Sequence, residues 1–157
     1  SAASDVYKRQ SETGAIIGGE SSGGMAVRGH ISGKDGIYAA ALLVEMLAVT
    51  GKSVSELFAE ITAQYGNPCW AEADFRMTPE RKAELQKLLF TEKRVPEFGT
   101  AVDHISLEDG CKVYFKDGSW VICRFSGTEP LLRMAAEADE QAVADGYIKA
   151  FRDMLEL

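Results

Sequence analysis

The chain has 157 residues, about the length of one ordinary domain, and its 46% apolar and 26% charged residues give a globular composition. Its 17 basic and 24 acidic residues give a formal net charge of −7, which provides no field that would attract nucleic acid or an anionic membrane surface. The longest apolar stretch, at residues 38–49, is interrupted by Glu45 and is shorter than the roughly 20 residues that cross a bilayer. We therefore expect no nucleic-acid partner and no membrane span.

The first part of the chain is poor in strand signals. Residues 1–12 lack the apolar segment of a secretory signal and are interpreted as a disordered or cloning-derived lead. Residues 15–36 are rich in glycine and have no clear period, which indicates a functional loop with one short strand at 15–17. From Asp35, apolar residues recur at helical spacing as far as Gly51, which predicts a buried helix of about 13 residues.

Two helix starts follow. Ser53 and Glu56 have the spacing of a capping box, which predicts a second helix that ends near residue 66. Residues 67–77 show no clear period and are interpreted as a connection. Thr78 and Pro79 then predict an N-cap and a first helical position, with the helix reaching about residue 90.

The last part of the chain has short strand patterns and a closing helix. The predicted strands are at 101–107, 111–116, 120–125 and 131–138, and the helix is at 140–155. Together with the helix after Pro79, they predict a self-contained α+β unit with a four-stranded, largely antiparallel sheet. The stretch 15–66 has too little sheet to form a domain, so it is interpreted as the tail of a larger α/β domain.

The three cysteines form no CxxC pair, so neither a zinc site nor a disulfide framework is indicated, and a reducing, cytoplasmic compartment is expected. Asp117 and Gly118 between two strands predict a two-residue type I′ turn. In that register Cys111 lies opposite Arg124 and on the other face of the sheet from Cys123, so the two cysteines cannot form a disulfide.

The strongest chemical signal is the run from Arg124 to Arg133, which contains Ser126, Gly127 and Thr128 between two guanidinium groups. Arginine gives paired charged donors, the hydroxyls add donors, and a glycine turn can direct backbone amides, so the run suits a phosphate monoester. A polar turn held by salt bridges is the alternative. The carboxylate of Glu129 opposes phosphate binding unless it orients an arginine.

A second signal is Gly18-Gly19-Glu20-Ser21-Ser22-Gly23-Gly24. Its glycines permit close approach of the backbone, and Glu20 and Ser22 supply a carboxylate and a hydroxyl for a vicinal diol, which favours a sugar ligand. A glycine-rich surface turn is the alternative. The run matches neither of the glycine patterns of nucleotide-binding loops.

Together these stretches resemble the α-D-phosphohexomutases, the phosphoglucomutase and phosphomannomutase superfamily. Residues 19–24 resemble the sugar-binding loop of that family, and His30-Ile31-Ser32-Gly33-Lys34-Asp35-Gly36 resembles the stretch that follows it. Residues 124–133 resemble the phosphate-binding loop of the last domain. The resemblance covers residues 13–157. It implies that 13–73 are the end of the third, α/β domain with the sugar loop and a linker, and that 74–157 are a C-terminal domain resembling the TATA-binding-protein fold.

The resemblance also implies an activity, which is phosphoryl transfer between O1 and O6 of a hexose through a phosphoserine, Mg²⁺ and a hexose 1,6-bisphosphate. Glu20 and Ser22 would hold sugar hydroxyls, and Lys34 would assist as an acid, base or electrostatic partner. Two roles remain open for His30, a contact with the ligand and a structural hydrogen bond. The non-reacting phosphate would be held by Arg124, Ser126, Gly127, Thr128 and Arg133.

The phosphoserine loop and the metal loop of the family are absent from this sequence. We therefore expect a C-terminal fragment that is inactive alone, binds no metal or cofactor by itself, and has the missing N-terminal domains and a glucose or mannose phosphate as partners. A stand-alone phosphosugar-binding module is the alternative. An inert structural or nucleic-acid module is a third hypothesis, which the acidic charge opposes.

Overall fold

A computed structural model of the chain describes residues 2–20, 23–127 and 129–157. The chain divides between Tyr65 and Gly66 into two compact units. None of the helices that the structure describes has, by itself, the length and apolar composition of a membrane span. Two consecutive described helices, Gly36–Thr50 and Val54–Tyr65, reach that length and composition together, but they are bent by 86° at their junction.

The described residues of the first unit form three helices and one hairpin. The elements are α1 (Ala2–Thr13), β1 (Ile17–Gly19), β2 (Met25–Val27), α2 (Gly36–Thr50) and α3 (Val54–Tyr65). Strands β1 and β2 are antiparallel, with Gly18 opposite Ala26. The glycine-rich stretch at 15–36, interpreted as a loop, therefore carries a two-stranded hairpin, and the predicted sugar loop is its tip.

The expectation of a disordered lead over residues 1–12 is corrected by helix α1. The Gln10 side chain is nearly buried, and its Nε2 donates to the carbonyl of Ile16 at 2.9 Å and to that of Ala26 at 3.3 Å. Arg9 and Glu12 form an ion pair at 3.3 Å on the exposed side. The charged residues therefore lie on the exposed side of α1. On its other side, the amide group of Gln10 satisfies backbone carbonyls of the hairpin.

Helix α2 has the predicted ends but not the predicted burial. Asp35 Oδ1 accepts hydrogen bonds from the amides of Ile37 and Tyr38, and Gly51 ends the helix in the left-handed region at φ 66°. However, α2 has no buried residue, and Ile37 is 87% exposed. The prediction of a buried helix is wrong for this chain, because the described residues of the unit contain only two short strands, which are too small a sheet to cover it.

Helix α3 begins at the predicted capping box. The Ser53 amide donates to Glu56 Oε2 at 2.8 Å, and the Glu56 amide donates to Ser53 Oγ at 3.3 Å, which are the two reciprocal bonds of that motif. Hydrogen bonds from the amide and hydroxyl of Ser53 lower the pKa of Glu56.

The described residues of the second unit form a five-stranded antiparallel sheet with strand order β3-β7-β6-β5-β4. The strands are β3 (Cys69–Arg76), β4 (Val102–Ser106), β5 (Cys111–Phe115), β6 (Trp120–Phe125) and β7 (Leu131–Ala138). Helix α4 (Pro79–Gln86) continues into a π-helical turn at Lys87–Thr91, and helix α5 (Gln141–Leu155) ends the chain. Thr78 caps α4 by accepting from the Arg81 amide at 3.3 Å.

Both helices cover the same face of this sheet. Side chains from α4 and its π-helical turn, Leu85 and Leu89, and from α5, Phe151, pack against inward-facing strand residues such as Val121 and Met134 in one core. These side chains are at most 1% exposed, so each buried leucine or phenylalanine contributes about 2 kcal/mol of apolar transfer free energy. The opposite face of the sheet carries the alternate residues, which include the two candidate arginines.

Residues 67–77, interpreted as a connection, form the edge strand β3 instead. Ala71, Ala73 and Phe75 belong to or pack against the core, whereas the residues between them are exposed. This alternation is the period of a strand with one buried face. The small side chains of the two alanines conceal it in the sequence. The sheet therefore has five strands rather than the four predicted.

The predicted hairpin register is wrong by one residue. The Phe115 amide donates to the Ser119 carbonyl at 3.0 Å and the Gly118 amide to the Phe115 carbonyl at 3.1 Å, so the turn is a three-residue loop with Gly118 at φ 91°. This is a type I turn closed by a glycine bulge, the next commonest hairpin connection. Cys111 is consequently directly opposite Cys123 on the core face, and both are free thiols.

Candidate functional site

The described residues of the predicted sugar loop, which include Glu20, Gly23 and Gly24, lie at the end of the β1–β2 hairpin. The Glu20 amide donates to the Gly24 carbonyl at 2.9 Å, and the Gly23 amide donates back to the Glu20 carbonyl at 2.9 Å. Gly23 has φ 86°, in the left-handed region that favours glycine. Ser22, the other predicted sugar-binding residue, and its neighbour Ser21 lie outside the described residues.

Lys34 and Glu20, which the sequence separates by 14 positions, are brought together. The Lys34 ammonium lies 2.5 Å from Glu20 Oε2, and their side chains are 32% and 16% exposed. The lysine stem passes across Gly24, where an added Cβ would lie 2.3 Å from Lys34 Cδ. Gly24 therefore makes room for the lysine that neutralises the loop carboxylate.

His30 makes the structural hydrogen bond, one of the two roles considered for it. Its Nε2 lies 2.9 Å from Asp35 Oδ2, and its ring stacks on Tyr38 with centroids 4.0 Å apart. The other carboxylate oxygen of Asp35 caps helix α2. The hydrogen bond from His30 and then the amide of Tyr38 lower the pKa of Asp35. His30 thus supports the start of α2 just after the stretch that carries Lys34.

The two arginines of the predicted phosphate loop are direct cross-strand neighbours. Arg124 on β6 is opposite Arg133 on β7. The residues on either side of them in sequence pack in the core, so both arginines project from the open face of the sheet. Like charges that are directly opposite each other destabilise a sheet, so the pair favours an anion between or beside the two guanidinium groups.

Acidic residues flank this pair on both sides. Asp74 on β3 is opposite Arg133, and Asp109 Oδ2 lies 3.4 Å from the Arg124 guanidinium in an exposed ion pair. No described carboxylate lies within 4.0 Å of Arg133. The Arg133 guanidinium is thus the less engaged of the two. Exposed pairs of the Asp109 kind contribute about 0–1 kcal/mol, so a phosphate can displace that carboxylate.

The loop between β6 and β7 lies at the end of the sheet next to the arginine pair. The Ser126 amide donates to the Leu131 carbonyl at 2.8 Å and closes the loop, and the Glu129 amide donates to Ser126 Oγ at 3.2 Å. Gly127 is exposed, and an added Cβ would meet no atom within 4 Å. Thr128 lies outside the described residues. The described loop residues thus lie beside two guanidinium groups, an arrangement that suits an oxyanion with several oxygens.

Three residues near this loop were not predicted from the sequence. Lys82 on α4 donates to the Ser126 carbonyl at 2.7 Å, and Asp74 and Asp109 flank the arginines. Asp74 would have been found if residues 67–77 had been identified as a strand. Lys82 and Asp109 depend on tertiary packing and a hairpin loop, and no local pattern indicates them.

Within residues 2–20, 23–127 and 129–157, the structure contains no group of three or more His, Cys, Asp or Glu side chains that could hold a metal ion.

The described fold is an α/β segment with a glycine-rich hairpin, followed by an α+β domain that carries two arginines beside a closed loop. The comparison with protein families is consistent with this architecture. Phosphoglucomutase/phosphomannomutase, alpha/beta/alpha domain III, matches residues 4–65, and the C-terminal domain of the same family matches residues 73–154. The chain belongs to the phosphoglucomutase/phosphomannomutase family. This finding confirms the resemblance inferred from the three motifs and the fold class.

Similar curated proteins carry phosphohexomutase names. The chain is 34% identical to a phosphoglucomutase/phosphomannomutase from Thermococcus kodakarensis, in an alignment that covers 92% of this chain and 29% of that protein. It is 32% identical to a phosphomannomutase/phosphoglucomutase from Pseudomonas putida, over 96% of this chain and 31% of that protein. It is 35% identical to a probable phosphoglucosamine mutase from Methanopyrus kandleri, over 92% of this chain and 30% of that protein. The chain thus spans about a third of the length of these relatives.

A solved structure has the same fold. A putative phosphomannomutase from Thermus thermophilus matches 97% of this chain and 29% of its own chain, with a TM-score of 0.67 and 25% sequence identity. The names of these relatives are those of isomerases, so the enzyme class predicted for the family is confirmed, as is the partial match to a C-terminal portion.

Proposed function

We propose that this chain is the C-terminal portion of a hexose-phosphate mutase and that its second unit holds the phosphate that does not react. The observation that carries the proposal is the placement of Arg124 directly opposite Arg133 on the open face of the sheet, beside the closed loop 126–130. Arg124, Ser126, Gly127, Thr128 and Arg133 bind the phosphate oxygens. Each arginine supplies paired charged donors, and the loop adds hydroxyl and amide donors.

A grip on the remote phosphate assists catalysis at the other end of the sugar. Contacts to a non-reacting group position the reacting group and lower the entropic part of the barrier. In a mutase the bisphosphorylated intermediate must turn round, so the same loop must accept the phosphate on O6 and then the phosphate on O1. Exposed, weakly paired arginines suit that exchange better than a buried pair, because release must be fast.

The hairpin tip of the first unit binds the sugar in this proposal. Glu20 and Ser22 accept and donate hydrogen bonds to vicinal hydroxyls. Lys34 neutralises Glu20 at 2.5 Å and brings an ammonium group to the same loop, where it can assist phosphoryl transfer electrostatically. His30 acts through Asp35 on the local fold rather than on the sugar.

Helices α2 and α3 carry apolar side chains that the described residues do not cover. Helices α2 and α3 have no buried residue, and Phe58 and Val44 are 57% and 65% exposed, so we assign these faces to packing against the missing N-terminal domains. The phosphoserine and the Mg²⁺ site belong to those domains, and the hexose 1,6-bisphosphate is the activator that the whole enzyme binds. The 157-residue chain is then inactive alone, and the whole enzyme acts in the cytoplasm on a glucose or mannose phosphate.

The test compares the longer protein that contains this chain with the chain itself. With Mg²⁺ and a bisphosphate activator, the longer protein should convert glucose 1-phosphate to glucose 6-phosphate, and this chain should not. Exchange of no hexose phosphate by the longer protein would refute the mutase assignment.

A stand-alone phosphosugar-binding module is the second candidate, because both arginines and the loop lie in one unit with its own core. Calorimetry of the chain with glucose 6-phosphate separates the two. A mutase fragment should bind it with a dissociation constant of about 1 mM or weaker, because one loop without the closed cleft lacks preorganisation. A dissociation constant of about 1 µM that is lost in Arg124→Ala but kept in Lys116→Ala would favour the module.

A further inference from the structure

Lys82 contacts the candidate phosphate loop from a different element. It lies on helix α4 and its ammonium donates to the backbone carbonyl of Ser126 at 2.7 Å, across 44 positions of sequence. Its side chain is half-buried. Among the described residues no carboxylate lies within 4.0 Å of it, so its charge is directed at a carbonyl oxygen rather than at an ion pair.

A second long-range hydrogen bond ties the other end of the same loop to the same part of the chain. The Met77 amide, just before the N-cap of α4, donates to the Pro130 carbonyl at 3.0 Å. Both ends of the loop are thus hydrogen-bonded to residues 77–82, and the hydrogen bond from the Ser126 amide to the Leu131 carbonyl joins the two ends to each other. The position of the loop therefore depends on α4.

The contact with Ser126 also fixes one peptide plane. The Ser126 carbonyl and the Gly127 amide belong to the same planar trans peptide, so they point in opposite directions. A donor that holds the carbonyl on the α4 side directs the Gly127 N–H away from α4. No described residue accepts from that N–H, and Gly127 is exposed, so the amide remains available to a ligand.

A cation on the carbonyl oxygen further polarises the peptide. Hydrogen bonds in a chain strengthen one another, so an ammonium on the Ser126 oxygen makes the Gly127 N–H a better donor. An exposed glycine amide held in this way is the group that would contact a phosphate oxygen beside the two guanidinium groups.

We propose that Lys82 is a positioning residue of the phosphate site, which orients and polarises the Ser126–Gly127 peptide so that the Gly127 amide donates to phosphate. This inference rests on the proposed function of loop 126–130. It assigns Lys82 a role through the backbone, without direct contact with the ligand.

The experiment uses the 157-residue chain, inorganic phosphate as the probe, and the amide proton shift of Gly127. Lys82→Met keeps the apolar stem and removes the donor and its charge. We expect the Gly127 amide proton to move to lower frequency without ligand, and phosphate to bind about tenfold more weakly, as for loss of one charge-assisted contact. Lys82→Arg, which keeps a charged donor, should restore both, and Lys82→Gln serves if Lys82→Met does not fold.

The matched control is Lys87→Met, which makes the same change of charge at a largely exposed lysine five residues further along, where its ion pair with Glu92 is 3.8 Å long. It should leave both measurements unchanged. An unchanged Gly127 shift in Lys82→Met, or a changed shift with unchanged phosphate affinity, would overturn the role of Lys82. Failure of the folded wild-type chain to bind phosphate at about 100 mM would refute the phosphate-binding role of loop 126–130 and the role of Lys82 with it, whereas the mutase assignment is tested by the activity of the longer protein.

Discussion

Replacement of Arg133 separates a functional arginine from a structural one. The change is Arg133→Met, which keeps the stem and removes the charge. In the ligand-free chain the guanidinium is repelled by Arg124 and attracted by Asp74, which lie opposite it on the two neighbouring strands. Two charges about 6 Å apart in water interact by about 0.7 kcal/mol, and salt at about 0.1 M lowers this to about 0.4 kcal/mol. Because the two terms oppose each other, the free energy of unfolding should change by less than about 0.5 kcal/mol.

The effect on phosphate binding should be much larger. Loss of one charged, paired contact costs about 2 kcal/mol, which is about a 30-fold weaker dissociation constant. If the wild-type constant is about 10 mM, then about 50 mM phosphate stabilises the wild-type chain by about 1 kcal/mol and the variant by about 0.1 kcal/mol. For a unit of this size that is a rise in Tm of about 4–8 °C against less than about 1 °C.

The assay is thermal unfolding followed by near-UV circular dichroism of Trp70 and Trp120, which form an edge-to-face pair in the second unit. Phosphate is compared with chloride at equal ionic strength. The control is Lys116→Met, which removes a charge from the exposed loop between β5 and β6, at the end of β6 opposite to the candidate phosphate loop. It should keep the full phosphate-induced rise in Tm. An equal phosphate-induced rise in Arg133→Met would refute the assignment. A ligand-free loss of more than about 2 kcal/mol would show instead that Arg133 is structural.

Three further predictions concern the fold around the sites. Gly110→Ala should destabilise the second unit by about 3 kcal/mol, because Gly110 has φ 108° and an added Cβ would lie 2.7 Å from the Cys123 carbonyl oxygen. The control variant Gly99→Ala should be nearly neutral, because an added Cβ there would meet no atom within 4 Å, and equal unfolding midpoints of the two variants would contradict this prediction. Of the three thiols, only that of Cys69 should react with a disulfide reagent at pH 8 in the folded chain. Burial raises the pKa of Cys111 to about 11 and that of Cys123 well above its usual value, so both stay protonated, and rapid labelling of all three thiols would refute this prediction. Because the pKa of Asp35 is lowered in the folded state, its contribution to the start of α2 is present above the unfolded pKa of 3.8 and is lost as the pH falls through the folded pKa. Hydrogen exchange of the amides in the first turn of α2 should therefore accelerate only in that acid range. Equal acceleration in Asp35→Asn would contradict this prediction.

The ends of several elements could be predicted because local chemistry sets them. Asp35 and Gly51 bound α2, and the Ser53–Glu56 capping box begins α3, each through hydrogen bonds within a few residues. The predicted strand at 120–125 has the bounds observed for β6. These features depend on side chains that satisfy nearby backbone groups, which a single sequence contains in full.

The failures of prediction have tertiary causes. Burial of α2 depends on a layer that the described residues do not supply. Strand β3 is concealed in the sequence by alanines, whose packing depends on the core beneath α5. The register of the β5–β6 hairpin depends on whether the loop has two or three residues, and Asp117-Gly118 is compatible with both. That single residue decides that Cys111 faces Cys123.

The candidate site was predicted in its residues but not in its geometry. Arg124 and Arg133 were singled out nine positions apart, yet only the strand register shows that they are directly opposite each other. The same holds for Lys34 and Glu20, which the hairpin brings into contact. The roles of the phosphate-binding and sugar-binding residues stay predictions.

A titration of the ¹⁵N-labelled chain with glucose 6-phosphate, with unphosphorylated glucose as the control, tests the central claim most directly. The claim predicts that glucose 6-phosphate shifts the Gly127 and Glu129 amides and the Nε signals of Arg124 and Arg133, and that glucose does not. Unchanged arginine Nε signals at saturating glucose 6-phosphate, or shifts confined to residues outside 124–133, would contradict it.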